Sequence, residues 1–419
     1  MNQLKKKGYM MVRLNKDEDD MLNGKYGKGT QTAMKIQVAI AEAFDAPYMV
    51  PISKAHVALS NQEADLWFVE KLVSQGAKCR VRPTVNPSFN WKQMKKITTL
   101  AQEDEEIVKR TDRAYRKIGA LMTYDCTPYL QLNVPKVNEV IAYSESSATP
   151  FVNSIYGAKT NRESAQSALC AAVTGVVPYY GYLDKKNRKG QVLVNVLAEM
   201  KSDFDFQLLG YVTPLKVGFK IPVFNFKNKI DKKLFSNASL MNLGAQMNTS
   251  GNVAIYHILG VTPEAKTFED AFQSENVPEI INITQADLDS VRDKISAPLG
   301  KIDFALFGCP HLTFEQIESV VDIISGKKLA VPLFIMSSDP TRRLCEQMGL
   351  LKIIRDAGGE IISNTCMDQP CWKFLYGKKG VTDSPKCAYY TRRRKMEFVI
   401  TDLENAAYSA LKGEVTDDY

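Results

Sequence analysis

Apolar and polar positions along this chain repeat in short runs, some with the period of a helix and some compact enough for a buried strand. In residues 32–44, Met34, Val38, Ala41 and Ala43 lie near one side of a helix. Spacing of this kind predicts an amphipathic helix packed against a core. The same criteria predict further helices at 62–75 and 103–121, short strands at 47–52 and 78–81, and a strand, a turn and a helix start within 253–265.

From residue 302 onward, strand and helix patterns alternate regularly. Strands are predicted at 303–307, 331–336 and 360–363, and helices follow the first two of them. Thr313 and Gln316 form a capping-box pattern at the start of one helix. The other helix, at 339–357, is expected to end at Gly358. This order predicts a βαβαβ layer with parallel strands and right-handed crossovers, and an α/β fold class.

The polar, acidic stretch at 266–301 predicts a boundary between two parts of the chain. We therefore expect a main α/β region at 1–285, a second α/β domain at 290–410 and an acidic tail at 411–419.

The composition is that of an ordinary globular protein, with 45% hydrophobic and 24% charged residues. The opening residues are too polar for a signal peptide, and no run of about 18 apolar residues predicts a membrane span. We expect a cytoplasmic protein. Its 54 basic and 47 acidic residues give a net charge of +7, which suits a small anionic substrate better than nucleic acid. The densest basic run, Arg392 to Lys395, is interpreted as a solvated surface.

Cysteines carry the first candidate chemistry. The eight are scattered, which is typical of a reducing compartment where thiols are core residues, ligands or nucleophiles. Cys309 and Cys366 each follow a predicted parallel strand, at the edge where α/β sheets build their sites. Cys126 lies on an irregular loop before Thr127 and Pro128. Such thiolates could hold an iron–sulfur cluster with one iron left open, although each cysteine alone is more often a buried apolar residue.

A dense polar stretch at 142–163 contains the second group of candidate functional residues. Arg162 could grip a carboxylate or phosphate, and Ser146 and Ser147 would offer N–H groups at a helix N-terminus. Glu145 or Glu163 could move a proton if burial raised its pKa. A capped helix accounts for part of the same pattern.

Six motifs in a fixed order resemble the aconitase X family. They are CTPYL at 126–130, AYSESSATPFVNSIYGAKTNRES at 142–164, HILGVTPEA at 257–265, GCPH at 308–311, NTC at 364–366 and TDSPKCAYY at 382–390. The resemblance implies aconitase-like multi-layer α/β/α domains with largely parallel sheets. It also implies a hydro-lyase with a [4Fe–4S] or [3Fe–4S] cluster that dehydrates a small hydroxy acid.

Site residues follow from the resemblance position by position. The implied cluster ligands are Cys126, Cys309 and Cys366, and the implied catalytic residues are Glu145 and Ser146. The implied substrate-binding residues are Ala58, Leu59, Ser60, Asn86, Pro87, Glu145, Ser146, Ser147, Arg162 and Lys386.

The ESSA and TNRES motifs resemble the two-chain branch of the family. That branch lacks the small swivelling domain in its large chain, and the base is expected to be a serine on a separate small subunit. We therefore expect a heterodimer that converts mevalonate 5-phosphate to anhydromevalonate 5-phosphate, with no nucleic-acid or membrane partner.

Three alternatives stay open at this point. The substrate could be cis-3-hydroxy-L-proline. Cys309, His311, Cys366 and Cys371 could form a four-ligand zinc site. The segments AHVALS at 55–60 and TDSPK at 382–386 differ from the usual pattern of the family. This difference would also fit a non-catalytic metal-binding subunit.

Overall fold

The computed structural model describes residues 12–274 and 279–416. The first eleven residues, part of the predicted boundary at 266–301 and the last residues of the predicted tail lie outside this part of the chain. Within it, no helix is long and apolar enough to cross a membrane.

The helices of the described residues are mostly short and are distributed along the whole chain. They are α1 (Lys16–Leu22), α2 (Lys28–Ala43), α3 (Glu63–Ser74), α4 (Trp91–Met94), α5 (Gln102–Ile118), α6 (Ala148–Ser154), α7 (Ala165–Thr174), α8 (Asp203–Val217), α9 (Asn237–Gly251), α10 (Phe268–Phe272), α11 (Gln285–Ile295), α12 (Phe314–Ile324), α13 (Asp339–Gln347), α14 (Leu350–Ala357), α15 (Pro385–Thr391) and α16 (Leu403–Lys412).

The strands are shorter still and alternate with these helices. They are β1 (Met49–Pro51), β2 (Lys54–Val57), β3 (Thr84–Val85), β4 (Ile141–Tyr143), β5 (Val176–Pro178), β6 (Val192–Val196), β7 (Pro222–Phe226), β8 (His257–Ile258), β9 (Ile280–Ile283), β10 (Gly300–Lys301), β11 (Phe304–Phe307), β12 (Leu333–Ser337), β13 (Gly359–Ser363), β14 (Lys379–Thr382), β15 (Glu397–Ile400) and β16 (Glu414–Val415).

Parallel sheets dominate the fold. The first has the order β3-β2-β4, the second β8-β7-β6-β9 and the third β13-β12-β11-β14-β15. All neighbours in these sheets run parallel, whereas the pairs β1-β5 and β10-β16 are antiparallel. Parallel sheets need helical cover on both faces, which explains why the strands are so apolar. The predicted α/β class is confirmed.

The third sheet has a topological switch point at its centre. From β11 the chain adds β12 and β13 on one side, then returns to place β14 and β15 on the other. The two halves therefore diverge beyond the carboxyl ends of β11 and β14, which leaves a crevice where α/β sheets bind ligands. The predicted parallel βαβαβ layer is confirmed, and so is the capping box of Thr313 and Gln316 at α12.

Two predicted elements were wrong. Residues 78–81 are not a strand, because Cys79 N donates to the Ile118 carbonyl at 2.8 Å and Val81 N to the Ala172 carbonyl at 3.0 Å. The segment thus bonds to helix ends, and the strand begins only at Thr84. The predicted helix at 339–357 is broken at Gly349, whose φ of 79° no right-handed helix allows.

The ends of two other predicted segments also differ from the structure. Within 253–265 only His257–Ile258 is a strand, and the next helix begins later, at Phe268. In the predicted tail, Leu411 and Lys412 complete α16, and Glu414–Val415 pairs with β10. The division into folding units stays a prediction.

Gly308 is the residue on which the turn after β11 depends. Its φ is +106°, and a Cβ there would collide with the Met336 carbonyl oxygen. We expect Gly308→Ala to lower the free energy of unfolding by about 2–3 kcal/mol, measured by urea denaturation. Gly326→Ala is the control, because its φ is +71° with open space around a Cβ. It should cost only about 1 kcal/mol, so equal losses would contradict the steric argument.

Candidate active site

The carboxyl ends of the first and third sheets face one pocket of about 160 Å³. From the first sheet come residues just beyond β3 and β4, and from the third come residues beyond β11, β13 and β14. The predicted site residues that line this pocket are Asn86, Pro87, Cys126, Glu145, Ser146, Cys309, Cys366 and Lys386. The meeting of two sheets therefore brings together distant residues such as Ser146 and Lys386, which are 240 positions apart.

Backbone hydrogen bonds join the two sheet edges directly. Cys366 N donates to the Ser88 carbonyl at 3.0 Å, and Asn90 N donates to Thr365 Oγ1 at 3.0 Å. Ser88 and Thr365 also form an isolated parallel bridge. The loop that carries Cys366 is thereby fixed to the segment after β3.

The loop of Cys126 is held by an aspartate and a histidine. Asp125 N donates to the Val85 carbonyl at 3.1 Å, which places the loop at the end of β3. Asp125 Oδ1 accepts from Thr127 N at 2.9 Å and lies 3.2 Å from His311 Nδ1. His311 N in turn donates to Cys126 Sγ at 3.3 Å. Sequence reasoning did not assign these supporting roles to Asp125 or His311, although His311 stands in the GCPH motif.

Burial acts on all three pocket thiols. It raises the pKa of Cys126 and Cys309 well above the ordinary thiol value. Burial also raises the pKa of Cys366, but the Asp368 N–H at 3.4 Å opposes it, and the result is about 11. Lys386 opposes this shift at Cys309, but burial dominates and these thiols stay protonated at neutral pH, whereas bound iron takes cysteine as thiolate.

The donor set fits an iron–sulfur cluster. The structure contains three free thiols from separate loops around one pocket, and Cys126 and Cys366 each accept a backbone N–H. Hydrogen bonds to ligand sulfurs are a usual feature of such clusters. Three sulfurs would leave one iron corner without a protein ligand. Cys170, Cys345, Cys371 and Cys387, by contrast, are buried in the core.

The alternative of a four-ligand zinc site is not supported. Among the described residues, the metal-ligand atoms that lie within 4.8 Å of one another belong to Asp125, Cys126 and His311. Both ring nitrogens of His311 are engaged, with Asp125 Oδ1 at 3.2 Å and the Thr365 carbonyl at 3.1 Å. Cys371 is 1% exposed and packs in the core. No three of Cys309, His311, Cys366 and Cys371 place their ligand atoms within 4.8 Å of one another, as a shared zinc ion would require.

A buried ion pair spans the pocket between the sheets. Lys386 Nζ donates to Ser146 Oγ at 2.8 Å, and Ser146 Oγ donates to Glu145 Oε1 at 3.0 Å. The Lys386 Nζ to Glu145 Oε1 distance is 3.9 Å. Burial disfavours both charges, but Lys386 and the Ser147 N–H and hydroxyl lower the pKa of Glu145. Glu145 raises the pKa of Lys386. Both groups are therefore charged at neutral pH.

Other predicted site residues lie outside the pocket lining. Ala58 N donates to Ser144 Oγ at 2.7 Å and Leu59 N to Asn86 Oδ1 at 3.3 Å, so this segment supports Asn86. Ser60 Oγ bonds Asp65. Ser147, which is fully buried, lies under Glu145, and Arg162 is exposed. Direct substrate contacts for these five stay predictions.

The basic run was predicted to be a solvated surface, and for Arg394 this was wrong. Its side chain is 22% exposed and pairs with Asp368, which lines the pocket two residues beyond Cys366. The sequence carries no local signal for this contact, because the two residues are 26 positions apart.

The two candidate proton carriers behave in opposite ways. Burial raises the pKa of Glu163 to about 7, but Glu163 does not line the pocket. Glu145 lines the pocket, but its pKa is lowered. Glu145 is therefore an acceptor of hydrogen bonds rather than an acid.

Facing parallel sheets with free thiols at their shared edge define an aconitase-like α/β protein. Family models for the first, second and third domains of aconitase X match residues 11–186, 190–293 and 302–412. The crystal structure of Thermococcus kodakaraensis aconitase X in its holo-form is similar, with a TM-score of 0.86 and 34% identity over 95% of this chain and all of that one. The chain belongs to the aconitase X family.

Curated relatives are dehydratases. The phosphomevalonate dehydratase large subunit of Thermococcus kodakarensis is 36% identical over 94% of this chain and 98% of its own length. A more distant relative is the cis-3-hydroxy-L-proline dehydratase of Hypocrea jecorina, 29% identical over 85% of this chain and 61% of its own length.

Glu163 gives the fold a pH dependence that can be measured. Its pKa is about 7 in the folded chain against an ordinary 4.5, so the folded state binds more protons between these values. The contribution of Glu163 to stability therefore falls as pH rises through this window. Glu163→Gln cannot ionise, so its stability relative to the parent chain should rise by about 2–3 kcal/mol between pH 5 and pH 8.

Urea unfolding at both pH values checks this expectation. Glu42→Gln, at an exposed position, controls for the removal of one carboxylate. A stability difference between Glu163→Gln and the parent that stays constant with pH would contradict the buried-charge argument.

Proposed function

We propose that this chain is the large subunit of an iron–sulfur hydro-lyase that dehydrates mevalonate 5-phosphate to anhydromevalonate 5-phosphate. The observation that carries the proposal is the joint placement of Cys126, Cys309 and Cys366 with the Lys386–Glu145 pair around one pocket. The similarity to phosphomevalonate dehydratase large subunits supports the choice of substrate.

The reaction requires a leaving hydroxyl and a proton acceptor. The C–O bond of the tertiary hydroxyl breaks, a proton leaves the carbon beside the carboxylate, and its electron pair forms the C=C bond. Cys126, Cys309 and Cys366 would hold the cluster, which when bound supplies one open iron as a Lewis acid.

The chain's own polar residues orient the substrate. Lys386 is a buried cation whose Nζ lies at the pocket wall, so it can hold a carboxylate or phosphate oxygen. Glu145 is ionised and can accept a hydrogen bond from the substrate hydroxyl. Ser146 Oγ lies between these two groups and keeps them in register. Arg162 is a further proposed partner for the phosphate.

The base is proposed to be a serine of a separate small swivelling subunit. Glu145 is a poor candidate for that role, because Ser146 and Ser147 already donate to both of its oxygens. Relatives named as large subunits support a two-chain enzyme.

A second candidate substrate is cis-3-hydroxy-L-proline. It carries an ammonium group beside its carboxylate, and the Glu145 and Asp368 carboxylates that line the pocket could receive it. The relative from Hypocrea jecorina supports this alternative.

Anaerobic reconstitution with iron and sulfide, followed by an assay with the co-expressed small subunit, tests the proposal. We expect a brown protein that forms anhydromevalonate 5-phosphate and leaves hydroxyproline unchanged. Cys309→Ala should lose the cluster and lower kcat by at least about a hundredfold, because one ligand is gone. Cys371→Ala is the matched control, since this core thiol should leave cluster and turnover intact.

The outcomes of this experiment distinguish the proposed function from its alternatives. Turnover of hydroxyproline alone would favour the second substrate. A stable cluster without turnover of either substrate would indicate a non-catalytic subunit. A colourless protein that binds zinc through the same cysteines would contradict the proposal of an iron–sulfur cluster.

A further inference from the structure

The turn that follows α15 reaches back to the loop of Cys366. Arg394 Nε donates to Asp368 Oδ1 at 2.8 Å, and Arg394 also donates to the Asp368 carbonyl at 2.5 Å. A third contact joins Arg394 to the Tyr376 hydroxyl at 2.8 Å. Arg393 adds an ion pair to the same carboxylate. One arginine thus grips both the side chain and the backbone of Asp368.

Asp368 is in turn the residue whose N–H meets the sulfur of Cys366. The Asp368 N to Cys366 Sγ distance is 3.4 Å. The other side of the loop is fixed by Cys366 N on the Ser88 carbonyl and by Trp372 Nε1 on the Cys366 carbonyl, both at 3.0 Å. The carbonyl and the carboxylate of Asp368, by contrast, are held by the two arginines.

We propose that Arg394, assisted by Arg393, is a positioning residue that holds the Asp368 N–H on the Cys366 sulfur. The inference rests on the proposed function in one respect, that Cys366 is a cluster ligand. Lost outer contacts of this kind typically weaken metal binding about 10–100-fold, because the ligand is no longer held in its binding orientation.

The same contacts have an electrostatic consequence for the pocket. Asp368 lines the pocket, and an unpaired carboxylate there would repel an anionic substrate. The two guanidinium groups neutralise this carboxylate, so Asp368 does not compete with an anionic ligand for Lys386. Lys386 and Arg394 are the two ends of one helical segment, α15 and the 3₁₀ turn Arg392–Arg394.

The geometry requires an arginine. The planar guanidinium makes three separate contacts in fixed directions, whereas a lysine ammonium is a compact charge on a flexible stem and lacks this fork geometry. Arg392 is a natural control in the same turn, because its guanidinium donates to the Lys294 and Ile295 carbonyls and not to Asp368.

The experiment compares Arg394→Ala, Arg394→Lys, Asp368→Ala and Arg392→Ala in the full-length chain. The first readout is amide hydrogen exchange of residues 364–369 in the cluster-free chain. The second is the rate at which a chelator removes iron from the reconstituted chain, with the iron–sulfur vibrational spectrum as a spectroscopic check.

We expect Arg394→Ala and Asp368→Ala to speed both exchange of 364–369 and iron loss about tenfold. Arg394→Lys should be intermediate, and Arg392→Ala should stay within about twofold of the parent. Because Arg394 holds both the carboxylate and the backbone carbonyl of Asp368, the double variant Arg394→Ala/Asp368→Ala should exceed Asp368→Ala alone but stay below the sum of the two single effects.

Two results would overturn the inference. One is unchanged exchange of 364–369 in Arg394→Ala, and the other is an equal effect of Arg392→Ala, which would indicate general loosening of the turn. If the parent chain itself takes up no cluster, the proposed function fails, while hydrogen exchange still decides whether Arg394 positions Asp368.

Discussion

The site depends on two parallel sheets that direct their carboxyl ends at each other. Each sheet leaves unpaired loops at that edge, and backbone bonds such as Cys366 N to the Ser88 carbonyl close the seam between them. Because parallel strands all have their carboxyl ends on the same side, the contact between the two sheets brings the loops after these strands to one place. The pocket is therefore a consequence of the sheet topology. Turns at the strand ends, such as the one at Gly308, shape its lining.

Buried charge is the second constraint. Lys386 and Glu145 are both nearly inaccessible, and each stabilises the charge of the other, with Ser146 between them. Removing one partner would leave an uncompensated buried charge, which is far more costly than the pair. The neighbouring thiols are neutral instead, because burial raises their pKa values above neutral pH even beside Lys386. These properties of the pocket would suit the cofactor and the anionic substrate of the proposed function.

Support for the cysteines comes mainly from backbone N–H groups. Cys126 accepts from His311 and Cys366 from Asp368, and in each case an aspartate fixes the donor loop. Asp125 does so through the His311 ring, and Asp368 through Arg394. These contacts explain why the loops of Cys126 and Cys366 keep their shape.

The sequence by itself determined the α/β class, the parallel layer after residue 302 and the strand-end positions of Cys309 and Cys366, because periodicity and strand ends are local properties. It failed at residues 78–81 and at Gly349, where contacts with helix ends and a left-handed φ replaced the expected element. Only the tertiary structure decided that Lys386 meets Ser146, 240 positions away, and that Arg394 holds Asp368. Such pairs are set by how whole sheets and helices pack, and no local pattern of residues encodes them.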